Sequence, residues 1–126
     1  MGSMTLGKKT PWPTELRLRK DRRTLSVQFD DGVSHDLPAE MLRVLSPSAE
    51  VQGHSPEQRK TVGGKRNVAI NRLEPIGNYA VKIVFADGHD TGLFSWTYLR
   101  QLGDEREERW SSYLSELEAK GLTRDA

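Results

Sequence analysis

One stretch of the chain places a histidine beside carboxylates and could therefore perform chemistry. It is Phe85-Ala86-Asp87-Gly88-His89-Asp90-Thr91-Gly92. His89 is one of only three histidines in the chain, and Asp87 and Asp90 lie two residues before it and one residue after it. An imidazole next to carboxylates can bind a metal ion or act as a general base. These residue types therefore allow a metal site or acid–base catalysis.

A metal site at His89 needs more ligands than this stretch supplies, because protein metal sites hold three or four converging donors. The remaining histidines are His35, on a predicted strand, and His54, in an irregular segment. One hypothesis is a metal-binding protein in which Asp87, Asp90 or His54 completes a zinc or iron site around His89. The competing interpretation, which we favour, is that His89 is hydrogen-bonded within its turn and that no cofactor is bound.

Recognised catalytic motifs are missing from the sequence. The chain has no cysteine, which excludes cysteine nucleophiles, thiolate metal sites and disulfides. No serine has the G-x-S-x-G context of a nucleophile elbow, and Gly63-Gly64-Lys65 lacks the spacing of a P-loop. We therefore predict that the protein is not an enzyme. A weaker alternative is an enzyme in which the loop around His54 folds over the Asp-Gly-His turn and closes a pocket.

Charge and hydropathy narrow the partners that we expect. The formal net charge is +1, from 19 basic and 18 acidic residues, so the chain as a whole does not favour polyanions. The basic residues concentrate in segments 8–23 and 59–66, without the interleaved aromatics that stack nucleic-acid bases, and solvated loops and strand edges explain them better. No apolar run approaches the roughly 20 residues that span a membrane. We expect a cytoplasmic protein with neither a membrane nor a nucleic-acid partner.

The first half of the chain predicts a β-rich unit. Residues 1–13 are expected to be a flexible lead-in that begins with an expression scar, Met-Gly-Ser-Met. Apolar residues then alternate with polar ones across residues 16–29, which predicts a hairpin with one solvated face. A third strand over 33–37 and a short helix that begins at Pro38 follow. The breaker-rich segment 46–66 is expected to be an irregular loop with an ordered anchor near Val51.

The second half predicts three further strands, the last of them a short strand after the Asp87-Gly88 turn, and two helices. Strands are expected over 68–74 and 79–85, and a helix over 95–102 that Gly103 stops. Asp104 and Glu107 have the spacing of a capping box at the start of the last helix.

The last helix is predicted to be amphipathic. Its apolar face is spaced i, i+3, i+4 and i+7 and consists of Trp110, Tyr113, Leu114 and Leu117. The predicted domain limits are 14–120, with a core over 14–103, the C-terminal helix over 104–120 and a frayed tail over 121–126.

The two halves resemble one another. Placing Val27–Gly32 on Ile83–Gly88 aligns a phenylalanine and an Asp-Gly turn in each copy, and Leu37 then falls on Leu93. Two β-β-β-α-like units are therefore predicted, which gives an α+β fold of antiparallel sheets with short helices packed on one side. Because Asp31 and Asp87 occupy the same turn position, where aspartate is favoured for backbone reasons, we predict a structural role for both.

Several of these motifs together resemble a known family. Residues 85–92, the Trp96-x-x-Leu99 that follows, and Leu42-Arg43 ahead of Ser46-Pro47-Ser48-Ala49-Glu50 are similar to the gamma-butyrobetaine-hydroxylase-like N-terminal domain. The similarity is closest to its stand-alone bacterial form, an uncharacterised family, and covers about residues 13–103. In the hydroxylases this domain precedes an iron- and 2-oxoglutarate-dependent catalytic domain. Related domains also occur attached to P-loop iron–sulfur cluster carrier proteins.

The resemblance implies a structural zinc that this sequence does not support. In the hydroxylases, three cysteines and the histidine of the Asp-Gly-His motif bind the ion. Carried over to this chain, the histidine is His89 and the cysteine positions are Ser46, Ser48 and Val51, none of which can supply a thiolate. The resemblance therefore implies the fold but neither the zinc nor the hydroxylase activity. The expected function is a non-catalytic accessory module that binds a protein partner, linked to iron–sulfur or metal-cofactor metabolism.

Overall fold

Two three-stranded antiparallel sheets form the framework of the fold. In this computed structural model, which describes residues 11–53 and 56–125, the sheet orders are β1-β2-β3 and β4-β5-β6. The strands are β1 (Pro13–Leu18), β2 (Thr24–Phe29), β3 (Ser34–Pro38), β4 (Ile70–Ile76), β5 (Ala80–Phe85) and β6 (Leu93–Ser95).

Four helices and a 3-10 turn accompany the sheets in the described part of the chain. They are α1 (Ala39–Val44), α2 (Ala49–Gln52), the 3-10 turn Pro56–Gln58, α3 (Trp96–Asp104) and α4 (Arg106–Ala119). The predicted α+β class is confirmed. Within residues 11–53 and 56–125, no helix is both long enough and apolar enough to cross a membrane.

Alternation along β2 explains how the first sheet buries one face. Leu25, Val27 and Phe29 are buried, whereas Gln28 between them is exposed. Because successive side chains of a strand point to opposite faces, this pattern turns one face to the core and the other to water. The predicted hairpin with one solvated face is confirmed.

A single hydrophobic cluster contains residues from both sheets and from three helices. Its largest fully buried side chains include Phe29, Phe85 and Phe94, each of which stabilises the fold by about 1.5–3 kcal/mol relative to an exposed ring. From α4, Tyr113 and Leu117 belong to this cluster. Leu114 is 39% exposed, so the apolar face of α4 is narrower than the sequence pattern predicts.

The predicted repeat of the Asp-Gly turn is present in the backbone hydrogen bonds. In each copy, the phenylalanine amide donates to the carbonyl four residues on, and the aspartate carboxylate accepts the amide two residues on. The pairs are Phe29 to Val33 and Phe85 to His89, then Val33 to Asp31 and His89 to Asp87. Gly32 and Gly88 have φ of +89° and +94°, which favours glycine. Both turn aspartates therefore cap their own turns.

Two ion pairs connect the first unit, from β1 to α1, with the second unit, from β4 to α3. Arg43 of α1 reaches Asp87 in the second unit's turn, with Nε 2.8 Å from Oδ2. Arg100 of α3 reaches Asp31 in the first unit's turn, with Nη1 2.9 Å from Oδ2. In each unit, an arginine of the helix therefore pairs with the turn aspartate of the other unit.

The predictions for Gly103 and Asp104 are wrong, and close packing explains both. Helix α3 continues through Gly103 to Asp104, and glycine is needed at position 103 because a Cβ there would overlap the His35 ring. The Asp104 carboxylate accepts from His35 and from Arg100, at 2.9 Å and 3.0 Å, so it does not cap α4. Helix α4 instead begins after Glu105, whose side chain makes no capping hydrogen bond.

The segment after α1 is more ordered than the sequence indicates. Helix α2 lies within it, and the predicted anchor Val51 is 2% exposed and accepts a backbone hydrogen bond from Lys60. His54 lies outside the described residues.

The last described residues, where the sequence predicts a frayed tail, make specific contacts. The amides of Gly64 and Arg66 donate to the carbonyls of Thr123 and Arg124. The Arg124 guanidinium also binds both oxygens of the Glu40 carboxylate, at 2.7 and 2.8 Å. Residues 121–125 are thereby held against α1 and the 64–66 segment.

The fit between Gly103 and His35 can be tested by stability measurements. We expect Gly103→Ala to lower the free energy of unfolding by about 1–3 kcal/mol, because the added methyl group overlaps the imidazole. In a His35→Ala background the same change should be neutral or stabilising, since alanine favours a helix over glycine by about 1 kcal/mol. Urea denaturation of the four proteins measures both effects. Equal costs in the two backgrounds would contradict this explanation.

Candidate functional site

The His89 side chain connects the second Asp-Gly turn to the segment that follows α1. Its side chain is only 5% exposed. The Nε2 atom lies 3.0 Å from Ser46 Oγ and 3.4 Å from Ser48 Oγ, and Nδ1 lies 3.1 Å from Glu50 Oε1. We call His89, Ser46, Ser48 and Glu50 the His89 cluster.

Local packing fixes Ser46 in front of the imidazole. Ser46 is fully buried, and its hydroxyl accepts a hydrogen bond from the Ser48 amide at 3.3 Å. The Gln52 side chain donates to the Ser46 carbonyl at 2.9 Å. On the other side, Gly92 lies so close that a Cβ there would overlap the Ser46 hydroxyl. This close approach requires a residue without a side chain at position 92, which explains the glycine in the sequence motif.

The network assigns a direction to the hydrogen bonds of the cluster. The Glu50 carboxylate next to Nδ1 favours the proton on that nitrogen, which leaves Nε2 as an acceptor. The Ser46 hydroxyl can then donate to Nε2 while it accepts the Ser48 amide. The cluster is thus satisfied with a neutral imidazole.

The surroundings of His89 keep it neutral. Burial lowers the pKa of His89 below its usual 6.5, and the positive charge of Arg43 lowers it further, against the opposing influence of Glu50, Asp87 and Asp90. A depressed pKa means that protonation is less favourable in the folded state. The stability that this arrangement contributes is therefore present above pH 6.5 and is lost as the pH falls through the lower folded pKa.

Asp87 is occupied by interactions other than a metal. Its Oδ2 lies 2.8 Å from Arg43 Nε and 2.6 Å from Lys65 Nζ, and its Oδ1 accepts the His89 amide at 3.1 Å. Burial alone would raise the pKa of Asp87, but the hydrogen bonds from Lys65, the His89 amide and Arg43 outweigh it and lower the pKa to about 2. Asp87 is therefore a fully ionised structural carboxylate.

The residues that we considered as metal ligands are only partly assembled. Asp87 binds Arg43 and Lys65, Asp90 is exposed, and His54 lies outside the described residues. The carboxylate nearest the imidazole is instead Glu50, which the sequence reasoning missed because nothing in the spacing of residues 50 and 89 links them. Within residues 11–53 and 56–125, no three histidine, aspartate or glutamate side chains are grouped so that they could hold a metal ion.

The zinc site implied by the family resemblance does not fit this donor set. The structure does bring Ser46 and Ser48 to the imidazole, at two of the three cysteine positions. A neutral hydroxyl is nevertheless a poor zinc ligand compared with a thiolate, and the third position is the buried alkyl side chain of Val51. A hydrogen-bonded polar cluster thus takes the place where thiolates would be needed.

The order of groups in the cluster matches that of a nucleophile, a base and an orienting carboxylate. Ser46, His89 and Glu50 have the mutual contacts of such a triad. Ser46 is however 0% exposed and is covered by Gly92, so a substrate carbonyl has no path to its hydroxyl. The geometry therefore supports a structural role rather than acyl transfer.

A concavity among the described residues lies beside this cluster, with Pro47 and Gln52 in its wall. It has a volume of about 450 Å³, and Tyr98, Arg59 and Arg109 contribute to its walls. Its arginines are paired with carboxylates: Arg59 binds Glu116, and Arg109 binds Glu105 at 2.9 Å. Both cations of this concavity are thus paired with carboxylates of the same chain.

The electrostatic role of Asp87 predicts a change in acid stability. Because its pKa is lowered to about 2, its contribution is fully present above about pH 4 and is lost as the pH falls toward 2. We expect Asp87→Asn to cost about 1–2 kcal/mol at neutral pH, after allowance for partial solvent screening, and the difference from wild type to shrink between pH 4 and pH 2. Urea denaturation across this range provides the measurement.

The neighbouring exposed residue provides the matched control for that experiment. Asp90→Asn removes the same charge three positions away without touching the Arg43 and Lys65 contacts. It should change stability by less than about 0.5 kcal/mol. A pH-independent cost for Asp87→Asn, or an equal cost for both variants, would contradict the assignment.

Solved structures of similar proteins share this fold. Two NMR solution structures match at 46% and 45% sequence identity, each with a TM-score of 0.79. The first match covers 93% of this chain and 92% of the other, and the second covers 98% and 90%. A crystal structure from Acidithiobacillus ferrooxidans ATCC 23270, of a protein of unknown function in the DUF971 family, matches at 38% identity and a TM-score of 0.60. That match covers 72% of this chain and 91% of the other.

The family comparison agrees with the resemblance in the motifs. No protein with a curated description matches the chain. The family profile described as gamma-butyrobetaine hydroxylase-like, N-terminal, matches residues 16–100, which include the second half of β1, the other five strands and the whole of the His89 cluster. The chain therefore belongs to the gamma-butyrobetaine hydroxylase-like N-terminal domain family.

Proposed function

We propose that the protein is a non-catalytic module that binds a protein partner. The observation that carries this proposal is that the chemically capable groups are committed to the fold itself. Both ring nitrogens of His89 contact other side chains of the cluster. Of the Asp87 oxygens, Oδ1 accepts the His89 amide and Oδ2 forms an ion pair with Arg43. A catalytic group must instead face a space that a substrate can enter. A scaffold that presents its outer surface is the function that this arrangement supports best.

We place the partner in iron–sulfur or other metal-cofactor metabolism. This part of the proposal rests on the family resemblance, in which related domains occur attached to iron–sulfur cluster carriers. A domain that is covalently joined to such machines in one protein can serve the same assembly as a separate chain in another. The module would then act by bringing its partner into place, with the reaction carried out by the partner.

Metal binding at His89 is the alternative, and one contact favours it. The Nδ1 atom of His89 and the carboxylate of Glu50 are both metal-ligating groups, and they lie 3.1 Å apart. Two further donors are needed for a stable site, and His54 could supply one of them. This alternative assigns the protein a zinc or iron cofactor, whereas the leading proposal needs none.

Affinity capture from native cells tests the leading proposal. Tagged wild-type protein should reproducibly enrich the same protein over the tag alone, as measured by quantitative mass spectrometry. The enrichment should persist in His89→Ala if that variant is folded, because the imidazole that it removes is only 5% exposed and offers little surface to a partner. Failure to enrich any protein reproducibly would contradict the proposal.

A metal screen separates the alternative from the leading proposal. We expect Zn²⁺, Fe²⁺ and Ni²⁺ to leave the thermal unfolding midpoint of wild-type protein unchanged, since a ligand that binds only the folded state would raise it. A rise with one of these ions that is lost in His89→Ala would establish the metal site instead. Glu118→Gln, which removes an exposed carboxylate of α4, serves as a control for the general effect of removing a charge.

A further inference from the structure

The hairpin that joins β1 to β2 ends in a strongly basic tip. Residues 17–23 contain five cationic side chains and one aspartate, and each of these residues except Leu18 is exposed. The cations are Arg17, Arg19, Lys20, Arg22 and Arg23. We call residues 17–23 the basic tip. Such a concentration of one charge differs from the chain as a whole, whose net charge is +1.

Three cations of the basic tip have no partner within the described part of the chain. Arg19 pairs with Asp36 at 2.9 Å, and the Arg22 guanidinium donates to the Asn71 carbonyl at 2.6 Å. The side chains of Arg17, Lys20 and Arg23 make no hydrogen bond or ion pair with the described residues, and only the Arg23 amide contacts a carboxylate. These three charges are therefore available to another molecule.

The basic tip is anchored to the second sheet through Arg22. Arg22 has a positive φ of 61°, a conformation that non-glycine residues adopt only when their surroundings impose it. Its side chain donates to a carbonyl of β4, and its own carbonyl accepts the Ile70 amide at 2.7 Å. The unpaired cations are thus presented on a fixed backbone, which reduces the ordering entropy that binding costs.

We propose that the basic tip is the docking surface for the protein partner and that it binds an acidic segment or face of that partner. This inference rests on the proposed function and adds the chemistry of the partner. Carboxylates suit the available groups, because the guanidinium of arginine forms paired hydrogen bonds with them. Opposite charges also speed association and select the orientation of the complex.

Protein carboxylates fit this surface better than nucleic acid does. Residues 17–23 include no aromatic side chain on which a base could stack, and the exposed Trp12 lies at the other end of β1, beside Asp30. Three free cations also supply few of the phosphate contacts on which nucleic-acid affinity depends.

A titration with polyglutamate tests the docking surface on the intact protein. The amide resonances of residues 17–26 in ¹⁵N-labelled protein should shift on addition of polyglutamate at low salt, and the shifts should weaken as salt is added. Lys20→Gln/Arg23→Gln should bind about twofold to thirtyfold more weakly, because the double variant removes two exposed ion pairs with the carboxylates. Lys60→Gln/Lys120→Gln removes the same charge elsewhere and should bind as wild type does.

Three results would overturn the docking surface. One is an equal loss of affinity in the two double variants, which would indicate a general charge effect. Another is tighter binding of a duplex DNA oligonucleotide than of polyglutamate, which would make the surface a nucleic-acid site. The last is salt-sensitive self-association in analytical ultracentrifugation that Lys20→Gln/Arg23→Gln abolishes, which would make a second copy the occupant.

Affinity capture with the same variants distinguishes this inference from the proposed function. If wild type enriches a partner and Lys20→Gln/Arg23→Gln does not, while Lys60→Gln/Lys120→Gln does, both are supported. A partner retained by all three proteins would overturn the docking surface and leave the proposed function standing. If wild-type protein enriches no partner, the proposed function is overturned, even if the protein binds polyglutamate.

Discussion

The hydrogen bond between His89 and Ser46 is the contact on which the arrangement of the domain depends. It joins residues 43 positions apart in the chain and fixes the segment after α1 against the turn of the second sheet. Gly92, Ser48 and Glu50 lie around it, and each is next to one of its two partners. A buried polar network of this kind stabilises only when its members are satisfied, and removal of one member leaves the others unpaired.

The two units of the fold show why this contact occurs only once. Val33 and His89 occupy the same position, since both amides donate to a turn aspartate and both carbonyls accept a phenylalanine amide. The crossed ion pairs of Arg43 and Arg100 likewise treat both units alike. The units therefore share their backbone and their electrostatic connection, and they differ in the side chain that follows the turn. That difference gives the second unit its polar cluster.

Local patterns predicted most of the fold, and contacts between distant residues account for what they missed. Alternation along β2 and the Asp-Gly turns are short-range signals, so the hairpins and the repeat were predictable. Gly103 was interpreted as a helix end because the contact that requires glycine there is with the His35 ring, 68 positions away in the sequence. Ser46 and Ser48 were found through the family resemblance alone. No local signal could have found Glu50, whose side chain meets the imidazole only after folding.

Hydrogen exchange in His89→Ala tests most directly whether the His89 cluster stabilises the segment after α1, which includes α2. The amides of Val51, Gln52 and Gly53 are hydrogen-bonded in α2 and report its opening. They should exchange about 10- to 100-fold faster in the variant, since loss of the imidazole leaves the proton of the buried Ser46 hydroxyl without an acceptor, at a cost of about 1–3 kcal/mol. Amides of β2 should change less. Unchanged protection of residues 51–53 in a folded His89→Ala protein would contradict the structural role assigned to the cluster.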